Sequence, residues 1–316
     1  MISTIFRRAL YSLPIALAVS LFCFLLVHIA PGDPINAILP PDAPADVIAQ
    51  VKESYGLDKP LPVQFGIWLF HILQGDLGRS LATGRDIWPD LHSALANTLV
   101  LALASAAIGF PLGTLFGSVA GAFRGTWIDR LAVGIAVAGV SVPHYWLGMV
   151  MVVIFSVILN WLPSMGASPD GSGAWALDWE HLSHLVLPAI TLSVIPMGIV
   201  TRTLRGIVGD ILNQDFITTL RGKGLKRGGL MLHVVKNAAP QALAVMGLQL
   251  GYLMGGSILV ETVFAWPGTG LLLNNAIFQR DIPVLQSTIL VLSMFFVGLN
   301  LAVDLAQALL DPRMRR

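Results

Sequence analysis

Six long apolar runs, separated by shorter polar stretches, organise this chain: roughly Ala9–Ile29, Asn97–Ala120, Leu131–Leu159, Leu185–Leu204, Ala242–Phe264 and Ser287–Leu309. About 20 mostly apolar residues wound as a helix reach across the hydrocarbon core of a bilayer. Each run therefore predicts a membrane-crossing helix, and the chain reads as an all-α, polytopic membrane protein. The first run follows Arg7 and Arg8, as a signal peptide would. Its apolar region is too long for one, and no small-x-small cleavage site precedes Pro31-Gly32-Asp33-Pro34, so a retained helix is expected. The third run is interrupted at Pro143-His144 and admits two readings, one tilted or kinked crossing or a hairpin of two.

Basic residues set the orientation, because Lys and Arg concentrate in cytoplasmic loops. With the N-terminus inside, the cytoplasmic segments hold Arg7, Arg8, Arg124, Arg130, the seven basic residues from Arg202 to Lys236, and Arg313, Arg315 and Arg316, which is 14 of 19. Lys52, Lys59, Arg79, Arg85 and Arg280 fall outside. A hairpin in the third run would put the most basic loop outside. The charge distribution therefore favours a single crossing there, six spans in all, and both ends in the cytoplasm.

Composition agrees. The chain is 55% hydrophobic and 12% charged, against about 25% charged in soluble domains, so lipid is its solvent. A formal net charge of +1 offers no basic face to a nucleic acid. Cys23 is the only cysteine, which excludes an intrachain disulfide and leaves no paired Cys/His spacing for structural zinc.

Two of the expected helices carry glycine at every fourth position: Gly109, Gly113, Gly117 and Gly121 in the second, Gly247, Gly251 and Gly255 in the fifth. Residues four apart share one helix face, and bare glycine faces let helix backbones approach in lipid. Tight packing within the chain is the favoured reading; the alternative is that one such face meets a second, homologous subunit across a pore. Outside the membrane, Ala45–Tyr55 has helical periodicity ending at Gly56, and Leu61–Leu73 is an apolar segment too short to span, suited to the membrane interface. Loop Trp161–His184 is acidic, with Asp170, Asp178 and Glu180. After the fifth span, residues 265–286 form a Pro/Gly turn and a short apolar stretch, the pattern of a re-entrant or lip element at the outer mouth around Glu261, Trp266, Pro267 and Gly268.

The strongest polar feature is the basic, Gly-punctuated segment from Leu204 to Pro240. No phosphate-binding loop accompanies it: Gly222-Lys223-Gly224 lacks both the upstream glycine and the following hydroxyl. G-x-S-x-G and H-E-x-x-H are also missing. His181 and His184 are weak metal candidates, explained equally well as interfacial polar residues. Glu261 and Asp304 are acids near span ends, for which snorkelling or a helix-cap contact is favoured over a role in transport. Arg202 and Arg205 complement the C-terminal dipole of the fourth helix and the inner headgroups. The chain thus has a membrane pathway and a cytoplasmic handle, and energy for uphill work has to come from a partner.

Asp215–Pro240 resembles the EAA motif of permease subunits of binding-protein-dependent ABC importers, E-A-A-x3-G-x9-I-x-L-P. Gly224 takes the glycine position and Val234 the Ile position; Thr218-Thr219-Leu220 replace E-A-A, and Lys236-Asn237 stand at Leu-Pro. These departures look like the dipeptide/oligopeptide/nickel branch. So do Pro31–Pro34, Tyr55–Pro60, Gly75-Asp76-Leu77-Gly78, Glu261–Gly268 and Asp311-Pro312-Arg313, in order along nearly the whole chain.

The resemblance implies a type I importer fold in the bacterial inner membrane. It divides the chain into an N-terminal end and first helix (1–30), an extracytoplasmic segment (31–95) and a transmembrane domain (96–310) with a coupling loop (205–240) and an outer lip (265–286). A cytoplasmic tail (311–316) follows. It also implies a second homologous permease, two ABC ATPases carrying the ATP and magnesium, and an extracytoplasmic solute-binding protein; this chain would bind no cofactor and catalyse nothing. Asp215, Thr218, Thr219, Leu220, Arg221, Lys223, Gly224 and Leu225 would form the ATPase-coupling helix, capped by Asp215 or Asn213 and ended by Gly224. Peptides or related small conjugates are the expected cargo, with nickel or its chelates the alternative. An ion-coupled secondary carrier would need acids near mid-membrane and broken helices in two halves. A membrane enzyme would need a nucleophile–base or metal-ligand cluster facing one cavity.

Overall fold

Helix is the only extended regular structure among the described residues, because backbone in lipid must satisfy its hydrogen bonds within the segment. The computed structural model describes residues 2–29, 58–169 and 178–310, with positions 43, 44, 46, 47 and 50. Pro31–Pro34, most of the helix expected over Ala45–Tyr55, Asp170 and the tail 311–316 lie outside them.

All six apolar runs are helical. They fall in α1 (Ile2–Ile29), α3 (Ile87–Ala122), α4 (Trp127–Ser141) with α5 (His144–Met151), α6 (Trp179–Leu212), α8 (Arg227–Gly256) with α9 (Ile258–Val263), and α11 (Ile282–Leu310). Shorter helices are α2 (Leu61–Leu73), α7 (Asp215–Gly222) and α10 (Thr269–Gln279). By length and composition α3, α6 and α11 can each cross a membrane alone. Several boundaries differ from the apolar runs, and α8 starts well before Ala242, at Arg227. Helix α3 starts ten residues before Asn97, with Ile87, Leu91 and Ala94 buried and Trp88 exposed. Helix α6 runs on to Leu212, eight residues past the apolar run.

The third run bends by 94° between α4 and α5, after which α5 continues as a wider π segment, Val152–Ile158. The corner follows from Pro143, which has no N–H and drives Val142 out of the helical region to φ −82°, ψ 127°. This is a sharper break than a tilted or kinked crossing.

The most extensive packing joins α3 to α6. A Cβ on Gly109, Gly113, Gly117 or Gly121 would stand 2.8, 2.8, 2.7 and 2.9 Å from the carbonyl oxygens of Ser193, Met197, Thr201 and Arg205. Both series climb in steps of four, so the helices run parallel with their backbones in contact. Parallel packing also resolves the third run: one net crossing lies between α3 and α6, as a single bent span requires and a hairpin does not. Gly247 and Gly251 of α8 lie against Val303 and Phe296 of α11, an antiparallel pair, whereas nothing lies within 4 Å of a Cβ on Gly255. The glycine face of α3 and the Gly247 and Gly251 positions of α8 are thus occupied by the chain's own helices.

At the outer side, Phe65 and Trp68 of α2 pack on Phe24 of α1, with ring centroids 5.5 and 5.8 Å apart. Leu101, Leu187, Leu192, Leu253, Val260, Phe264 and Trp266 form the main buried cluster, which leads from the bundle to the outer mouth.

Candidate functional site

On the cytoplasmic side, α7 is a helix of two turns held between α6 and α8. Its Ile217 is fully buried against Val208, Ile211, Val234 and Ala238, so one side chain seats it on the ends of two long helices. The expected caps are not made. Gln214 is the N-cap residue and makes no capping hydrogen bond with its side chain, Asn213 closes α6, and Asp215 sits one position too late, inside the first turn. There its carboxylate still faces the positive end of the helix dipole. At the other end, Leu225 N–H donates to Leu220 O at 3.1 Å and Gly224 N–H to Arg221 O at 2.9 Å. Gly224 has φ +76°, the left-handed turn that ends a helix in this pattern and that a Cβ disfavours. Thr218, Thr219, Arg221, Lys223, Gly224 and Leu225 are exposed and Leu220 is half-buried, a small basic platform open to the cytoplasm.

On the outer side, the segment from Glu261 to Leu271 is tied into a knot around one buried carboxylate. Glu261 of α9 is fully buried. It accepts hydrogen bonds from Thr98 Oγ1 at 2.9 Å, Gly270 N–H at 2.6 Å and Leu271 N–H at 3.3 Å. Two of these donors are first-turn amides of α10, so Glu261 caps a helix other than its own. Gly268 and Gly270 permit the approach: a Cβ would stand 2.5 Å from the Glu261 carboxyl carbon and 2.4 Å from Ile258 Cα respectively. Trp266, also fully buried, donates from Nε1 to Asn97 O at 3.0 Å, and Asn97 Nδ2 donates to Pro267 O at 3.0 Å. Thr269 N–H donates to Thr98 Oγ1 at 2.8 Å. The knot fastens the lip to the outer half of α3.

A second buried acid sets the far side of the lip. Asp281, 2% exposed, accepts from Ser80 Oγ, from Ala82 N–H at 3.2 Å and, at the start of α11, from Val284 N–H at 3.3 Å. Reading the sequence singled out Glu261, Trp266, Pro267 and Gly268 but missed Asn97, Thr98, Ser80 and Asp281. The signal for the first two was the pair of polar residues opening an apolar run.

His181 and His184 do not converge. His181 Nδ1 pairs with Asp178 Oδ1 at 2.7 Å, and His184 Nδ1 meets Met165 O at 2.8 Å. Asp178 is the N-cap of α6, accepting the His181 N–H at 2.9 Å, and that amide with the imidazole holds its carboxyl below the usual carboxylate range. Among the described residues no three His, Cys, Asp or Glu side chains are grouped to hold a metal ion. Asp304 is an exposed position on α11. Arg205 does not sit at a helix end: α6 continues past it, and its guanidinium grips Asp129 instead of the dipole.

Comparison with known proteins agrees with this arrangement. The family profile described as "Binding-protein-dependent transport system inner membrane component" matches residues 113–316, and the N-terminal profile of the same systems matches residues 1–103. The glutathione transport system permease protein GsiC of Salmonella typhimurium is 39% identical over 316 residues, spanning 100% of this chain and 99% of the relative. The dipeptide transport system permease protein DppB of Alkalihalophilus pseudofirmus is 37% identical over 332 residues, with all of both chains covered. Among solved structures, an inward-facing MetNI methionine ABC transporter superposes with a TM-score of 0.54 at 18% identity, covering 71% of this chain and 96% of that one, and shows the shared fold. A multi-pass helical chain with a seated cytoplasmic platform, matched along its whole length, belongs to the binding-protein-dependent transport system inner membrane component family.

Proposed function

We propose that the chain is one of two permease subunits of an ATP-driven importer that carries di- or oligopeptides, or small peptide conjugates, inward across the bacterial inner membrane. The observation that carries the reading is α7: a short exposed basic helix seated by Ile217 on α6 and α8. Such a platform fits a groove on an ATPase subunit, with Arg221 and Lys223 steering the encounter. ATP and magnesium are handled by two such ATPases, an extracytoplasmic binding protein delivers the solute, and a second, homologous permease completes the pore. The names of the relatives, a glutathione permease and a dipeptide permease, support the substrate class. The separate partners of His181 and His184 favour peptides over nickel.

In this reading, closure of the ATPases displaces α7, and Ile217 passes the displacement to the ends of α6 and α8. Cysteine at Thr219 or Lys223, in a Cys23→Ser background, is expected to cross-link to the partner ATPase. Gly224→Asp leaves the complex assembled but uncoupled, because the left-handed turn closing α7 is strained by any side chain. Uptake that persists at the wild-type rate in Gly224→Asp sinks the coupling role of α7.

A further inference from the structure

The turn that follows α3 is fastened to α6 by an ion pair that none of the roles above uses, its Asp129 buried and its Arg205 half-buried. Asp129, in the first turn of α4, is only 3% exposed although its turn faces the aqueous side. Its carboxylate takes two donors from Arg205 of α6, Nε onto Oδ1 and Nη2 onto Oδ2 at 2.8 Å, and a third from Gly125 N–H at 2.9 Å. Two-point arginine–carboxylate contacts fix direction as well as distance. Gly125 has φ +85°, so the same carboxylate shapes the α3–α4 turn and docks it. The backbones close up around the pair: a Cβ on Gly121 would meet Val208 Cβ at 2.8 Å, and one on Gly209 would meet Arg124 Nη1 at 3.1 Å. The nearby Arg124–Asp210 pair, at 3.3 Å, is exposed and weak by comparison.

The location gives the pair its meaning. Val208 and Ile211, on the turns of α6 that follow Arg205, are two of the residues that bury Ile217 of α7. The seat of α7 and the anchor of the clamp are therefore neighbouring turns of one helix. That stretch of α6, Arg205–Leu212, lies beyond the apolar run and is held by the Gly121 contact of α3, by α7 and by the clamp. At the opposite end of α3, Asn97 and Thr98 hold the Glu261 knot, and four glycines keep α3 and α6 in backbone contact between the two ends.

We propose that Asp129 and Arg205 are a positioning pair for energy coupling: by locking the α3–α4 turn to α6 they make α3 and α6 move as one rod when α7 is displaced, carrying the stroke to the outer knot. The proposal rests on the reading of α7 as the ATPase contact.

The test uses the complete transporter, with both permeases, ATPases and binding protein, reconstituted in proteoliposomes carrying Asp129→Asn, Arg205→Lys, or the reversed pair Asp129→Arg with Arg205→Asp. Asp210→Asn is the control for a surface charge. The single variants are expected to assemble and to keep basal ATP hydrolysis and the apparent KM for loaded binding protein. Solute imported per ATP hydrolysed falls at least tenfold in each. The reversed pair recovers at least a third of the wild-type ratio, and Asp210→Asn keeps all of it. Wild-type ratios in both single variants overturn the proposal. So does a reversed pair no better than the singles in assembled complexes, or failure of both singles to assemble, which marks a purely structural pair. Failure of the wild-type chain to bind the ATPases would instead refute the reading of α7.

Discussion

Replacing Gly117 by alanine sets one methyl group against the backbone of a neighbouring helix. Its Cβ would stand 2.7 Å from Thr201 O, 2.8 Å from Leu204 Cβ and 3.1 Å from Thr201 Cα. Backbone cannot swing aside as a side chain does, so α3 and α6 have to part by roughly half an ångström, and a gap of about 0.5–1 Å forfeits a quarter to a half of each dispersion contact. Between helices in lipid those contacts replace the hydrophobic drive, since lipid tails are as apolar as the helix faces. Overpacking of this kind costs about 1–3 kcal/mol, offset by the 0.5–1 kcal/mol or so that alanine gains over glycine within a helix. A net loss of about 0–2.5 kcal/mol, centred near 1 kcal/mol, results from these two terms. Gly206, on the same pair of helices, has nothing within 4 Å of its Cβ position. There only the helix gain remains, about 0.5–1 kcal/mol of stabilisation. Thermal unfolding of the purified permease in detergent, followed by tryptophan fluorescence, should therefore move down for Gly117→Ala and up for Gly206→Ala. Equal shifts, or a Gly117→Ala protein as stable as wild type, refute the backbone-contact account of the glycine series.

Glu261→Ala strands the Gly270 and Leu271 amides and costs about 2–6 kcal/mol at about 1–3 per orphaned group; Glu261→Gln keeps an acceptor and loses less, so equal melting temperatures for the two variants would contradict the capping role. Ile217→Ala removes the side chain that seats α7 and costs about 2–5 kcal/mol, concentrated locally. The permease should still insert in the membrane but co-purify with less ATPase, and undiminished ATPase recovery counts against the seat. Asp281→Ala frees the Ser80–Ala82 turn from α11, and proteolysis after Arg79 or Arg85 should accelerate in outside-accessible vesicles while cleavage elsewhere is unchanged.

The sequence makes some parts of this architecture readable because they are local. The six apolar runs and the basic-residue asymmetry carry the helices and their orientation, and the four-residue glycine period carries close helix contact. The turn at Gly224 was visible as well, because a helix end needs a left-handed residue there. Other parts depend on contacts that sequence spacing does not encode. Glu261 finds Thr98 across 163 positions, Arg205 finds Asp129 across 76, and neither partner is marked by its neighbours. Arg205 read as a helix-end charge because the apolar run stops at Leu204, whereas α6 continues in water, supported by α7 and the clamp. Pro143 marked the corner in the third run but not its 94° angle. The cap expected from Asp215 fails by one position, since Gln214 already takes the N-cap place.

In the proposed function, this permease imports peptides at the expense of ATP hydrolysed by its partners. The most direct test is accumulation of a labelled dipeptide and of labelled glutathione in proteoliposomes holding the second permease, the ATPases and the loaded binding protein, with and without this chain and with and without ATP. Accumulation of at least one of the two that requires both this chain and ATP is the predicted result. Uptake that proceeds equally without ATP, or without this chain, contradicts the account.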